Sequence, residues 1–187
     1  MKQIIYRKDL LKLGFKDSGI SAIVSGSRVF ASISKQQGYA IQFTFDHASL
    51  IAIGCRLFGV GLPFRHVDFI LSVLSAFDAK TTFMPPDAPV GYLQEDQKES
   101  IKELRKKHQY LLIKPARSVK GNGSIPAFDA ATGQEIKVKH PKPRIMLEFA
   151  EKSESLLNRP RDARGEVVIV VPLGEIVSQV SLAFADE

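Results

Sequence analysis

Three observations predict an α+β chain. Two amphipathic helical patterns meet at a glycine–proline break between Phe45 and Phe77, strand-like runs separated by turn signals fill the second half, and a Pro-rich stretch lies between them. Apolar residues at spacings of three and four mark helices, and strict alternation marks strands. The N-terminal part is therefore expected to be mostly helical. The C-terminal part is expected to be a small α+β unit on a mostly antiparallel sheet. The expected organisation is a domain at 1–80, a Pro-rich linker at 81–92, and a second domain at 93–187.

The bulk composition bounds the function classes. The chain has 187 residues, 44% of them hydrophobic and 25% charged, as in an ordinary soluble globular protein. No apolar run approaches the roughly 20 residues that span a bilayer. The start, Met1 to Arg7, has no apolar h-region. With one cysteine, Cys55, there is no intrachain disulfide and no multi-thiolate metal site. A cytoplasmic protein without a membrane partner is expected. Net charge is +6; the first 78 residues carry nine Lys/Arg against five Asp/Glu, a balance of +4. That excess is compatible with a polyanionic partner.

The N-terminal elements follow in order. Arg7 to Leu13 is a short helical pattern that Gly14-Phe15 breaks. Asp17 or Ser18 can cap a second helix, expected from about Asp17 to Ser32. Ile20, Ile23, Val24 and Phe30 form one face of it, while Ser21, Ser25 and Arg28 share a polar face at i, i+4 and i+7. Gly19 and Gly26 each weaken such a helix by roughly 1 kcal/mol relative to Ala, so it needs tertiary packing. Helix, glycine turn and second helix form a helix-turn-helix arrangement. Its hydroxyls and guanidinium can bond base edges or phosphates, or the face is simply solvated. Tyr39, Ile41, Phe43 and Phe45 then alternate with polar residues as in a strand. The polar tip Lys35-Gln36-Gln37-Gly38 before it suggests a hairpin, a wing beside the second helix. Asp46 is the expected cap of the next helix. That helix carries an apolar stripe at Leu50, Ile53, Leu57 and Val60. After Gly59-Val60-Gly61-Leu62-Pro63, a fourth helix repeats the stripe at Phe64, Val67, Ile70, Leu71, Leu74 and Phe77.

Gly38-Tyr39, Phe45-Asp46 and Val60-Gly61-Leu62-Pro63-Phe64, with Val67 and Ile70, fall in the order and separations found in one family. Residues from about Ile4 to Phe77 resemble the DNA-binding domain of MerR-type transcriptional regulators. The resemblance implies a winged helix-turn-helix with double-stranded DNA as partner. The second helix then enters the major groove with Lys16, Ser18, Ser21, Ser25 and Arg28. Lys35, Gln36, Gln37 and Tyr39 belong to the wing, and Arg65 and His66 add phosphate contacts from the fourth helix. His66 is placed on the polar side of that helix. The chain departs from the family in three places. Ala40 stands where an arginine usually follows the wing tyrosine. Phe30 alone represents the usual pair of aromatics. Pro85, Pro86 and Pro89 interrupt the position of the long dimerisation helix. The second domain is expected to supply homo-oligomerisation or effector sensing; the missing arginine and the missing long helix favour the alternative, a protein–protein interaction module, antitoxin-like or for phage assembly, that keeps the helix-turn-helix shape.

Beyond the Pro-rich stretch, Glu95 to His108 reads as a charged helix with a thin apolar stripe at Leu93, Ile101 and Leu104. A Glu103–Lys107 pair is expected at i,i+4. The basic run Arg105-Lys106-Lys107-His108 suits compensation of the helix dipole, or a phosphate patch. Strands are expected at Tyr110–Ile113, Ile136–Lys139, Ile145–Phe149 and Val167–Val171. Asp129 to Gly133 suits a hairpin turn between Ile125–Phe128 and the Ile136 strand. A last helix begins at Pro172, with Leu173, Ile176, Val177, Val180 and Phe184 on one face.

No motif points to catalysis. The histidines His47, His66, His108 and His140 lack mutual metal-ligand spacing. Lys120-Gly121-Asn122-Gly123-Ser124 lacks the order of a phosphate loop. No nucleophile–histidine arrangement stands out, and only a spatial gathering of His140, Arg144 and Glu148 would suggest an enzyme. Cys55 lies beside an apolar stripe and is expected to be a buried small residue, with redox sensing the alternative. The expectation is a DNA-binding regulator, not an enzyme, without cofactor or metal.

Overall fold

The computed structural model describes residues 5–34, 41–91, 93–115, 124–129, 132, 134–139, 145–151 and 168–184. In chain order its elements are β1 (Ile5–Tyr6), α1 (Arg7–Lys12), α2 (Asp17–Gly26), a 3-10 turn (Arg28–Phe30), α3 (Ala31–Ser34) and β2 (Gln42–Phe43). Then come α4 (Phe45–Gly59), α5 (Phe64–Leu74), α6 (Ala79–Thr82), α7 (Glu95–Lys107) and β3 (Tyr110–Pro115). The remainder is β4 (Ser124–Phe128), β5 (Glu135–Lys139), β6 (Ile145–Ala150), β7 (Ile169–Pro172) and α8 (Leu173–Ala183). The fold is α+β and its sheets are antiparallel: β1 with β2, β4 with β5, and β3 between β6 and β7. The chain divides into two units, the first made of Met1–Asp78, Gly121–Lys142 and Gln179–Glu187. The second is Ala79–Lys120 with Pro143–Ser178.

In the first unit α4 is buried from His47 through Gly54 and again at Leu57. Its inner positions face α2 and α5, whose own stripes are Ile20, Ile23 and Val24, and Val67, Ile70, Leu71 and Leu74. The helices meet closely at Gly54, where a Cβ would lie 3.1 Å from methyl carbons of both Ile23 and Leu71. The α4–α5 break is a Schellman turn. Leu62 N–H donates to Leu57 O at 3.2 Å and Gly61 N–H to Phe58 O at 3.0 Å. Gly61 takes the required positive φ of 83°. Leu57 and Leu62 are both buried beneath it. Val60, expected on the buried stripe, is instead 66% exposed, because the helix has already ended there.

Two caps differ from expectation. Thr44, not Asp46, begins α4: its Oγ1 accepts His47 N–H at 3.3 Å, and its own N–H donates to His47 Nδ1 at 3.0 Å. Histidine at the third helical position thus does the work of the usual glutamate in a capping box. Lys16 is the residue before α2, and no side chain caps that helix. Asp17 serves another purpose, described below. The strand containing Phe43 finds its partner in β1, with Ile5 opposite Phe43 and Tyr6 opposite Gln42. The expected wing tip, Lys35 to Gly38, lies outside the described residues.

The second unit is organised by Arg105, which is only 2% exposed. Its guanidinium donates to the carbonyls of Lys80 (3.0 Å), Thr81 (3.2 Å), Ala88 (2.7 Å) and Pro85 (3.5 Å). A four-residue helix followed by a Pro-rich turn leaves carbonyls short of backbone donors, and one planar fork serves them together, adding to the Ala88 N–H that Pro85 O already accepts at 3.0 Å. Gln109 Nε2 adds a bond to Met84 O at 3.1 Å. The stretch expected as a linker is therefore tied down within this unit. Burial lowers the Arg105 pKa from its usual value, yet a guanidinium keeps its charge at any physiological pH. The basic run is neither dipole compensation nor a phosphate patch at this residue. On the same helix Glu103 pairs with Lys106 rather than Lys107. The expected strands are present, the last as Ile169–Pro172 with Val167 outside the described residues, and the last helix starts at Leu173 with Leu173, Ile176, Val177, Val180 and Phe184 buried.

Two tests follow from these turns and caps. Gly61→Ala is expected to lower unfolding free energy by about 1–2 kcal/mol, the strain of a left-handed non-glycine residue. Gly59→Ala, in open space at the end of α4, is expected to be neutral or to gain up to about 1 kcal/mol of helix propensity. Urea titration of the pair checks the opposite signs. Arg105→Lys, whose single ammonium cannot serve these separated carbonyls together, is expected to lose about 1–3 kcal/mol and to expose 80–90 to limited proteolysis.

Candidate nucleic-acid interface

The candidate surface is the outer face of α2 and the turn after it. Ile20, Ile23 and Val24 are buried against α4, so the opposite side of the ten-residue helix faces water. Lys16, Asp17, Ser18, Ser25, Gly26 and Arg28 are exposed. Such a helix is about 15 Å long, and its diameter with side chains of about 10–12 Å matches a major groove about 12 Å wide.

The helix does not run to Ser32. It ends at Gly26, Ser27 is extended, and a 3-10 turn and α3 follow. Asp68 of α5 fixes this break, accepting Ser27 Oγ at 2.7 Å and Arg28 N–H at 3.1 Å. The ring of Phe64, at the start of α5, lies against Gly26. Arg28 consequently sits on a turn beyond the helix end, not one helical turn above Ser25. Phe30, the lone aromatic, is fully buried.

The three polar residues grouped by spacing have different fates. Ser25 is exposed, and its Oγ bonds back to Ser21 O at 2.6 Å. Arg28 keeps an exposed side chain. Ser21 is partly buried and accepts a bond from Arg7 Nη2. The same guanidinium holds Asp17 bidentately, Nε to Oδ1 at 2.6 Å and Nη2 to Oδ2 at 2.8 Å. Asp17 and Ser21 thus fasten α2 to α1 across an exposed edge, an interaction that spacing within α2 could not reveal.

On α5, Arg65 is exposed but His66 is not. At 7% exposure His66 lies on the inner side of the helix, one turn before Ile70. The polar-side placement of His66 is corrected, and it leaves the candidate surface. Lys35, Gln36, Gln37 and Tyr39 lie outside the described residues. Lys16, Ser18, Ser25, Arg28 and Arg65 are the described candidates that present side chains to solvent.

A feature the sequence reading missed adjoins the α4–α5 turn. Phe58 is 43% exposed and packs edge-on to Phe64, with centroids 6.4 Å apart. Together with Val60 it makes a small apolar patch. Its only sequence signal was the phase of the α4 stripe, which leaves Phe58 off the buried face. A second is the cleft of about 590 Å³ beside β1, lined by Tyr6, Arg7, Lys8 and Ile41. Its described lining gathers cations and an aromatic ring.

Among the described residues no group of three or more His, Cys, Asp or Glu is placed to hold a metal ion. Glu148 is exposed and paired with Lys114; His140 and Arg144 lie outside the described residues. No described helix is long and apolar enough to cross a membrane. No protein-family model, curated protein or solved structure matches the chain.

Cys55 is half-buried beside Gly19, and burial pushes its thiol up to about 11. A thiol of that pKa is about one part in a thousand thiolate at pH 8. Labelling by a disulfide reagent at pH 8 is expected to be at least a hundredfold slower than for a free thiol, and to return to normal on unfolding. The proton is held more tightly in the folded state. The associated stability is therefore full below the unfolded value near 9 and is lost as pH rises towards 11.

Proposed function

We propose that the chain is a DNA-binding transcriptional regulator with a winged helix-turn-helix of the MerR type in its first unit. The observation that carries this reading is the outward face of α2. Packing of Ile20, Ile23 and Val24 leaves Lys16, Ser18 and Ser25 directed away from the core, with Arg28 on the following turn and Arg65 exposed on α5. Hydroxyls on an exposed helix face and a guanidinium on the turn after it are groups that read base edges, while lysine and a second arginine suit phosphates. The positive balance of the first 78 residues acts in the same direction. Ser21 and His66 play no direct part in this interface. Ser21 is held by Arg7 and fastens α2 to α1, and His66 is buried on the inner side of α5.

The test is a comparison of two duplexes. Once a preferred site has been selected from random sequence, Arg28→Ala is expected to weaken binding to it by about 1–3 kcal/mol and to relax preference at one base position. Lys16→Ala and Arg65→Ala are expected to weaken specific and random duplexes alike and to flatten the salt dependence. Absence of any duplex binding at low salt contradicts the reading.

A second reading is a protein–protein interaction module. The exposed Phe58 and Val60 beside Phe64 favour it, since such apolar side chains mark partner surfaces more than DNA contacts. Phe58→Ser separates the two: it leaves duplex binding intact under the first reading and removes partner binding under the second.

A further inference from the structure

The β4–β5 hairpin is attached to the rest of the first unit by specific polar bonds. Ser32 Oγ on α3 donates to Asp129 Oδ1 at 2.7 Å, and Phe128 N–H donates to Ser75 Oγ at 3.1 Å. Asp129 is a buried carboxylate whose orientation is set by its own turn, where Oδ1 also accepts Thr132 N–H at 3.0 Å and Thr132 Oγ1 at 3.2 Å. From Ser75 the bonds continue down α5. Ser75 Oγ donates to Ser72 O at 2.8 Å, and Ser72 Oγ donates to Asp68 O at 2.7 Å. Asp68 accepts Ser27 Oγ and Arg28 N–H at its side-chain Oδ1, while its carbonyl takes the Ser72 bond. The circuit of contacts therefore closes through the covalent frame of α5. Both ends of the segment 27–34 are held, one by Asp68 and one by Asp129, and the hairpin tip joins them through Ser75 and Ser72.

We propose that the β4–β5 hairpin is a clamp on segment 27–34, and that its docking or release regulates how Arg28 is presented to a nucleic acid. Three features support a clamp over a fixed wall of the core. The hairpin is a sheet of its own, hydrogen-bonded strand to strand without a third partner among the described residues, so it can leave without breaking a larger ladder. Segment 27–34 is a single 3-10 turn and a four-residue helix, too short to be stable by local bonds. Val29, Phe30 and Ile33 anchor its middle in the core, which leaves the ends, including Arg28, to the polar circuit. Along the chain the hairpin is both preceded and followed by segments of the second unit. A hairpin with docked and released states changes how Arg28 is held. The consequence for DNA rests on the regulator reading; the clamp itself does not.

Amide hydrogen exchange on the full chain tests the clamp, with Asp129→Ala and the milder Ser32→Ala. Expected in both is a tenfold or greater loss of protection at Phe128 and across 28–34, while Ile23, Ile51 and Ile53 in the helical core keep theirs. Affinity for duplex DNA is expected to fall severalfold in parallel. Unchanged protection across 28–34 overturns the clamp, as does equal loss throughout α2 and α4, which would make the hairpin an inseparable part of the core. Were wild type to bind no duplex, the regulator reading would fail while the exchange pattern still decided the clamp.

Discussion

The first unit depends on how closely three helices approach one another at Gly54. With no side chain there, Ile23 of α2 and Leu71 of α5 reach α4 from two sides, at distances a Cβ would contest. Overpacking such a contact costs about 1–3 kcal/mol, more than the roughly 1 kcal/mol that glycine loses inside a helix. The rest follows from that contact. Once Ile23 is seated, Ile20 and Val24 are buried with it and the other side of α2 must face water. Once Leu71 is seated, α5 directs Asp68 at Ser27 and Arg28 and ends α2 where it does. The exposed Ser25 and Arg28 are the other face of an apolar fit.

Polar side chains do comparable work wherever the helices are too short to satisfy themselves. Arg105 gathers four carbonyls around α6 and the Pro-rich turn, and Asp68 holds the break after α2. Buried polar groups left without partners are costly, by about 1–3 kcal/mol each. These residues are therefore as structural as any leucine, although they read as surface residues in one dimension. Arg7 is the exposed counterpart. Its fork on Asp17 and Ser21 joins α1 to α2, a contact weaker in water but consistent with the angle the apolar stripes impose.

Much of the architecture was legible because it rests on periodicity. The stripes at Leu50–Leu57 and Val67–Leu74 and the last helix express spacing alone, while the hairpin at Asp129 and the strands from Tyr110 onward express apolar runs bounded by turn residues. What periodicity cannot report is the third dimension of polar residues. Ser21, Ser25 and Arg28 share a helical face only while the helix lasts, and Asp68, forty residues on from Arg28, ends it. His66 follows the phase of α5 inward, so a neighbour of exposed Arg65 was misplaced by adjacency. Asp46 resembled a cap by residue type, but Thr44 and His47 have the correct spacing for reciprocal bonds. Lys35, Gln36, Gln37 and Tyr39 remain expectations on sequence grounds.

The central claim is that an apolar fit at α4 displays the outer face of α2 to duplex DNA. Amide chemical shifts of the full chain, followed while mixed-sequence duplex is added at low salt, test it most directly. The expected result is a salt-sensitive perturbation at Ser18, Ser25, Arg28 and Arg65, with the interior of α4 unmoved. No perturbation on α2, or one confined to the turn around Phe58 and Val60, would contradict the claim.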